Sequence, residues 1–507
     1  MHRDRTDILG ESTVANAIMG ITGSSVAATF LKDLKAGRDS LDIVVIGDSN
    51  SGFNNYGYTT ALHRAIGGLG GVDPYASPLF FGAGHLFSTP GAVSLETGVA
   101  CSTFVSWYSD GALSGSAIQI NAGTFRKLVT AALAGDTNAS TLIGANGLNI
   151  NTTNYSVSGN DNISMLPKAF SYSWAGSFVE AGKNYTSDTG SNFLRLTTTN
   201  PLNFGSGSGG TNLQYRVVFG KFATSGGQFR LQAYNQTDNA YIAANAYRST
   251  QQLTSELWDT EKLDFTSPSG TLKIIRCVWD GHNRSGYHTT GPFACLWQSI
   301  IRRSFKGYAV NNFIYHGGAT TLMLADRIVG CDKLLDSYLE ELRKRQQEAG
   351  GSGRILVWVN SGINGGGDSG ATWTTQMNRI VTRIAERWVA TGGLLNNLAF
   401  VCSVSHPTQA SGPSNAQNTG WASLRAETAS TASSWGLANA GNGYNVTVVD
   451  IANNVPLAKI VNGMPSNATN LTLFDATNDA HLNGTTSGLN NGYDAVTNTI
   501  ITSLLSN

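Results

Sequence analysis

Charge is scarce in this chain. Only 13% of its 507 residues are charged, and Lys plus Arg equal Asp plus Glu at 33 each, so the formal net charge is zero. A neutral chain has no long-range field with which to gather nucleic acid or an anionic bilayer, and neither is expected as a partner. Cysteine is sparse as well: Cys101, Cys277, Cys295, Cys331 and Cys402 are scattered, with no C-x-x-C pair and no histidine at ligand spacing. That pattern offers no disulfide framework and no zinc site, which leaves buried free thiols. A long apolar run is also missing. Val14–Leu31 is mildly apolar but broken by Asn16, Thr22, Ser24, Ser25 and Thr29, so no membrane span is expected. The opening MHRDRTDILGEST carries acids and lacks the basic-then-apolar layout of a secretory signal. There is no fixed internal repeat.

What the chain has is glycine, 59 residues of it, with abundant Asn, Ser and Thr. A surface of neutral polar groups and turns suits an extracellular, β-rich protein. At this length a single core is not expected, and two or three domains are. Short β-branched or aromatic runs predict buried strands at Asp42–Ile46, Arg354–Val359, Leu398–Val404 and Tyr444–Asp450. Helices are expected between them. Tyr58–Ile66 follows the first strand. Met377, Ile380, Val381, Ile384, Ala385 and Trp388 fall at i, i+3, i+4, i+7, i+8 and i+11, one apolar face. Lys333–Glu348 is a second amphipathic helix and Trp421–Ala440 a weaker third. Strand alternating with helix predicts crossover units and a mostly parallel sheet.

The middle of the chain reads differently. From about Leu86 to Pro292 come short alternating runs, SAIQI, YRVVFGKF, GQFRLQAY and LKIIRCVW, divided by Gly, Ser, Thr and Asn. That texture predicts an antiparallel sandwich or jelly roll. The expected organisation is an N-terminal segment 1–40 that serves attachment, a discontinuous α/β domain over 41–85 and 300–507, and an inserted all-β domain over 86–299.

Four loops carry the residues with chemistry. LDIVVIGDSNSGFNNYG ends a buried strand on Gly47-Asp48-Ser49-Asn50; FIYHGGATT ends another on paired glycines; VNSGINGGGD follows the strand RILVWV; and LFDATNDAHLNG places His481 after a carboxylate. Each is also ordinary turn vocabulary on its own. In an open parallel sheet, however, loops at the carboxyl ends of strands converge on one crevice, so Ser49, Gly318, Asn364 and His481 can meet.

Together these segments resemble the SGNH (GDSL-like) hydrolase family of esterases and carbohydrate deacetylases. GDSN at Gly47–Asn50 resembles its first signature, Gly318 in HGGATT its second, Gly362-Ile363-Asn364 its G-x-N, and His481 the histidine of its final D-x-x-H. The resemblance covers roughly 41–85 and 300–507 and implies a flavodoxin-like three-layer domain. It departs in two places: Gly365 stands where the family writes Asp, and Asn478 stands three before His481, with Asp479 two before. The resemblance makes Ser49 the nucleophile and His481 its base. Asp479 is the preferred acid, with Asp475 or a Ser–His dyad as the other arrangements.

A serine hydroxyl needs a base within hydrogen-bond reach, and a carboxylate on the far ring nitrogen fixes the tautomer. The oxyanion needs donors, which the resemblance finds in the Ser49 and Gly318 N–H groups and the Asn364 amide. No metal or organic cofactor is required. Asp48, Asn50, His316 and Trp373 are weaker candidates for the substrate pocket. Trp358 is read as core, and His406, before Pro407 and without a nearby acid, as a loop residue.

The expected activity is acyl-serine hydrolysis, with an O-acetylated polysaccharide or other glycan preferred as substrate. The low charge and Gly/Asn/Ser/Thr texture point by analogy to an extracellular setting or a phage tail. The implied partners are other virion or tail proteins and, as in many phage fibres, two further copies of the chain in a trimer. The competing expectation is a non-catalytic, receptor-binding virion protein with a degenerate hydrolase domain. Acyl transfer between sugars would use the same residues.

Overall fold

The computed structural model describes residues 20–51, 57–81, 103–109, 148–150, 172–174, 192–198, 212–220, 228–235, 240–246, 248–249, 258–266, 274–280, 295–316, 320–330, 332–362, 369–405, 427–439, 443–451, 460–461, 464–465, 474–475, 478–482 and 492–507. Six strands form the main sheet: β1 (Gly20–Gly23), β2 (Leu41–Asp48), β3 (Tyr308–His316), β4 (Ile355–Ser361), β5 (Leu398–Val404) and β6 (Val446–Asp450). Their order is β1-β6-β5-β4-β2-β3. Strands β2 to β6 are mutually parallel, and β1 pairs antiparallel with β6. The five parallel strands, taken in chain order, run 2-1-3-4-5, the flavodoxin-like doubly wound order.

Strands β2, β4, β5 and β6 are buried along their whole length, which is why they read as continuous apolar runs with no alternation. One face of the sheet carries helices α1 (Val26–Lys35), α2 (Tyr58–Gly67) and α7 (Gly492–Ser506). Its core includes Leu31, Val45, Tyr58, Trp358 and Ile500. Helices α3 (Thr321–Gly330), α4 (Asp332–Glu348), α5 (Gly370–Ala390) and α6 (427–439) contribute no residue to that core. All six predicted apolar positions of α5 are buried. Its first turn is capped by Ser369, whose hydroxyl accepts from the Thr372 N–H at 3.1 Å. Helix α6 lies within the predicted 421–440; its earlier part, 421–426, lies outside the described residues.

The domain boundaries need two corrections. Residues 20–23 form the edge strand β1 and 26–35 the packed helix α1, so the α/β body includes part of the segment expected to serve attachment, 1–40. Strands Phe80–Phe81 and Cys295–Arg302 pair with each other, so the antiparallel part reaches beyond 86–299 at both ends. Among the described residues it holds three antiparallel sheets. The first runs Trp258–Phe265, Leu213–Gly220, Cys295–Arg302, Phe80–Phe81; the second Ala240–Ala244, Gln228–Asn235, Ile274–Asp280, Asn192–Thr198, Thr103–Ser109; the third is the short pair Leu148–Ile150 and Tyr172–Trp174. The predicted strand SAIQI lies outside the described residues.

The first antiparallel sheet docks on α4. Trp297 Nε1 donates to Ser337 Oγ at 2.9 Å, Trp258 Nε1 to Glu340 Oε2 at 2.7 Å, and the Trp297 and Tyr338 rings meet edge-on at 4.8 Å. The bidentate pair Arg216–Glu341 is buried in this contact. Residues 73–79 tie the two parts further. Tyr75 N–H donates to the Tyr308 carbonyl on β3, and Arg302 N–H donates to the Tyr75 carbonyl.

Two buried titratable groups are defined by their surroundings. Cys402 on β5 is a buried free thiol whose pKa burial pushes up, as the sequence predicts for it. His63 on α2 is buried beside the Tyr308 ring, and burial, with Arg64 adding to it, pulls its pKa down to about 4. An unfolded chain protonates this imidazole below its ordinary value of 6.5, whereas the folded one stays neutral to about 4. Stability is therefore full above that ordinary value and is lost as pH falls through the window between the two. A loss of about 3 kcal/mol is expected from this group alone. Urea unfolding at neutral and mildly acidic pH measures it, and His63→Gln should flatten the dependence.

Candidate active site at the sheet's switch point

The chain leaves β2 toward β3 on one side and returns to β4 on the other, so β2 and β4 diverge at their carboxyl ends. Ligands of doubly wound sheets bind at such a switch point. Gly47 lies beside Asn360 of β4 in register, and Asp48 beside His316 of β3. Three of the four chemistry-bearing segments thus start from adjacent strand ends. After β2 comes the short 3-10 turn Ser49–Ser51; after β4 comes Gly362 with φ 115°, a left-handed conformation that favours glycine. The fourth segment reaches the same place: Cα atoms of strand Asn478–Leu482 come within 8 Å of those in the Ser49–Ser51 turn.

Gly318 and Asn364 lie outside the described residues, as does His406. For Ser49, His316, Asp475, Asp479 and His481 the backbone is described and the side chain is not.

The turn is fastened from several directions. Asp48 Oδ1 accepts from the Asn50 backbone N–H at 2.9 Å and from Asn50 Nδ2 at 3.2 Å, the clamp that Asp supplies in tight turns. Asn50 Oδ1 accepts from the Tyr493 hydroxyl of α7 at 2.6 Å. The Ser51 carbonyl accepts from Thr59 Oγ1 of α2 at 2.6 Å and from Asn312 Nδ2 of β3. Sequence reasoning missed Thr59, Asn312 and Tyr493 as supports. The only signal was the polar pair Asn311-Asn312 inside an otherwise apolar strand.

These bonds correct the pocket reading of Asp48 and Asn50. Both are fully buried, and their polar atoms shape the turn from beneath. Trp373 is corrected likewise: it is fully buried on α5, meets Trp435 edge-on at 5.8 Å, and backs Gly362 with its ring 4.0 Å from where a Cβ would stand. It is in no position to stack on a sugar. Trp358 is core, as read, with its Nε1 donating to Ser403 Oγ at 2.7 Å. Among the described residues no group of three or more His, Cys, Asp or Glu is placed to hold a metal ion.

Gly47 is the tightest point of the site. A Cβ there would stand 2.1 Å from Ser51 Oγ and 2.6 Å from the Asn360 carbonyl oxygen, which is backbone and cannot step aside. Gly47→Ala is expected to displace the turn and lower the free energy of unfolding by about 1–3 kcal/mol, the usual cost of forcing extra volume into a packed core. Urea unfolding of the purified variant, beside its circular dichroism spectrum, checks this.

No protein-family model matches the chain, and neither does any curated protein. Solved structures give distant likenesses. Protein YXIM of Bacillus subtilis aligns over 71% of this chain and 90% of its own at 12% identity, with a TM-score of 0.26. The isomaltodextranase of Arthrobacter globiformis T6, solved with panose, aligns over 24% of this chain at 10% identity and TM-score 0.16, and the chain spans only 18% of its length. The N-terminal endo-1,4-beta-D-xylanase 10B of Clostridium thermocellum, solved with xylohexaose, aligns over 52% of this chain and 61% of its own at 10% identity and TM-score 0.19. TM-scores of this size lie below a shared fold.

Proposed function

We propose that the protein is a serine esterase of the SGNH type, with Ser49 as nucleophile and His481 as base. One observation supports this most: the turn bearing Ser49 sits at the switch point of a 2-1-3-4-5 sheet, with the strand bearing His481 beside it. On this reading His481 takes the hydroxyl proton as Ser49 Oγ attacks the ester carbonyl carbon. The oxyanion is held by the backbone N–H groups of Ser49 and Gly318 and by the Asn364 amide, each such donor being worth about 10²–10³ in rate. The tetrahedral species collapses, His481 returns the proton to the departing alcohol oxygen, and an acyl-Ser49 ester remains. Water, deprotonated by His481, then attacks that ester and releases the carboxylic acid. Asp479 orients the imidazole, with Asp475 as the other acid in the same segment.

The substrate we favour is an O-acetylated polysaccharide, met at a bacterial surface by a phage tail or other extracellular assembly. The antiparallel part, whose first sheet docks on α4, gives a second surface on which a long glycan can rest. The test is acetate release from acetylated bacterial polysaccharides and from 4-nitrophenyl acetate. Parent protein should release acetate, and Ser49→Ala should lose at least about 10³-fold in kcat. An inactive parent, or an unimpaired Ser49→Ala protein, removes the proposal.

A further inference from the structure

The carboxyl ends of β2, β4 and β5 carry a layer of buried polar side chains above the apolar core shared with α1, α2 and α7. Asn360, Ser403 and Ser405 are all fully buried in it. Ser403 Oγ, which accepts from Trp358 Nε1, donates to Asn360 Oδ1 at 2.9 Å, and Ser405 Oγ donates to the same oxygen at 3.3 Å. Two hydroxyls from the β5 side therefore fix the amide with its oxygen toward β5. That turns Nδ2 toward β2, where it has no hydrogen-bond partner.

On the β2 side the register places Gly47 next to Asn360. The space that a side chain at Gly47 would fill is taken by Ser51 Oγ, 2.1 Å from the Cβ position. Ser51 is fully buried, and its hydroxyl also has no partner. Unpartnered polar groups at two neighbouring places in a core are costly, and a water with two to four polar neighbours is the usual remedy.

We propose that one internal water accepts from Asn360 Nδ2 and donates to Ser51 Oγ, making Asn360 a positioning residue for the Ser49–Ser51 turn. The fastenings already described come from β2, β3, α2 and α7. The water adds β4, the strand across the switch point that leads into Gly362 and Asn364. It thus ties the nucleophile's turn to the carboxyl end of β4. This rests on the reading of Ser49 as nucleophile.

The experiment is a double-mutant cycle on the full chain with Asn360→Leu, Ser51→Ala and the pair, assayed on 4-nitrophenyl acetate. Ser51→Ala leaves the bonds from Ser403 and Ser405 to Asn360 untouched, so it tests the bridge even where Asn360→Leu folds poorly. Each single change is expected to lower kcat by about 10–100-fold with KM unchanged. The double variant should be no slower than the slower single one, because either change breaks the same link. Unchanged kcat, or losses that multiply, overturns the proposal. Should Ser49→Ala keep the parental rate, the nucleophile assignment falls by itself. The cycle read from urea midpoints still tests the water: non-additive shifts support it and additive ones overturn it.

Discussion

Asp42→Ala is expected to lower the free energy of unfolding by about 3–5 kcal/mol, the cost of stranding a charge in a core. Asp42 is fully buried at the start of β2, and so is its ion-pair partner Arg345 of α4. The carboxylate accepts from Arg345 and from the Tyr75 hydroxyl, from Asn311 Nδ2 at 2.9 Å and from Gln346 Nε2 at 3.4 Å. Burial and the neighbouring Asp42 push the Tyr75 phenol well above its ordinary pKa, so it stays a donor to the carboxylate. Without the carboxylate, Arg345 keeps only neutral acceptors, Asn311 Oδ1 at 2.8 Å and the Ser77 carbonyl at 3.1 Å. A buried guanidinium with no counter-charge is what makes the loss large. Urea unfolding measures it, and the paired replacement Asp42→Leu with Arg345→Met should recover most of the loss. A single-variant loss below about 1 kcal/mol, the scale of an ordinary point substitution, would contradict a dry cluster.

Glu341→Ala should have an effect of similar size but at a different place. Arg216, on strand Leu213–Gly220, gives the Nε and Nη2 edge of its guanidinium to Glu341, at 2.6 and 3.0 Å, and Thr260 Oγ1 adds a third contact at 3.3 Å. Arg216 Nη1 also donates to Gln214 Oε1 at 2.7 Å and lies 3.7 Å from a Glu348 oxygen. The half-buried Glu348 cannot replace a bidentate carboxylate. About 3–5 kcal/mol is again expected, here concentrated on the contact between α4 and the antiparallel sheet. Hydrogen exchange distinguishes it from the Asp42 variant. Amides of residues 213–220 and 295–302 should lose protection first, while those of β4 and β5 keep theirs.

Much of the parallel sheet was legible because a strand buried on both faces writes itself as an unbroken apolar run. Leu398–Val404 has the predicted limits, and the face of α5 repeats at helical spacing and is buried position for position. Strand β1 was not legible. GITG holds two glycines and no alternation, and it is a strand only because Val446–Asp450 offers it an open edge. Residue type alone also misled at Asp48, Asn50 and Trp373, whose chemistry suits a pocket but which are fully buried. The supports Thr59, Asn312 and Tyr493 come from three separate elements, so no local pattern joins them. The order of the four segments along the chain was readable, whereas the adjacency of the strand ends that three of them follow comes from the strand order, a property of the whole sheet.

That strand order has a kinetic side. Leu41 of β2 has Tyr308 as a neighbour, and Gly20 of β1 has Asp450. A ribosome delivers the first member of each couple long before the second, and in the interval the run LDIVVI waits with both edges open. Contacts so distant along the chain slow the search for the native state. The sheet therefore closes only after residue 450 has been made, and cool, slow expression should raise the yield of properly assembled protein.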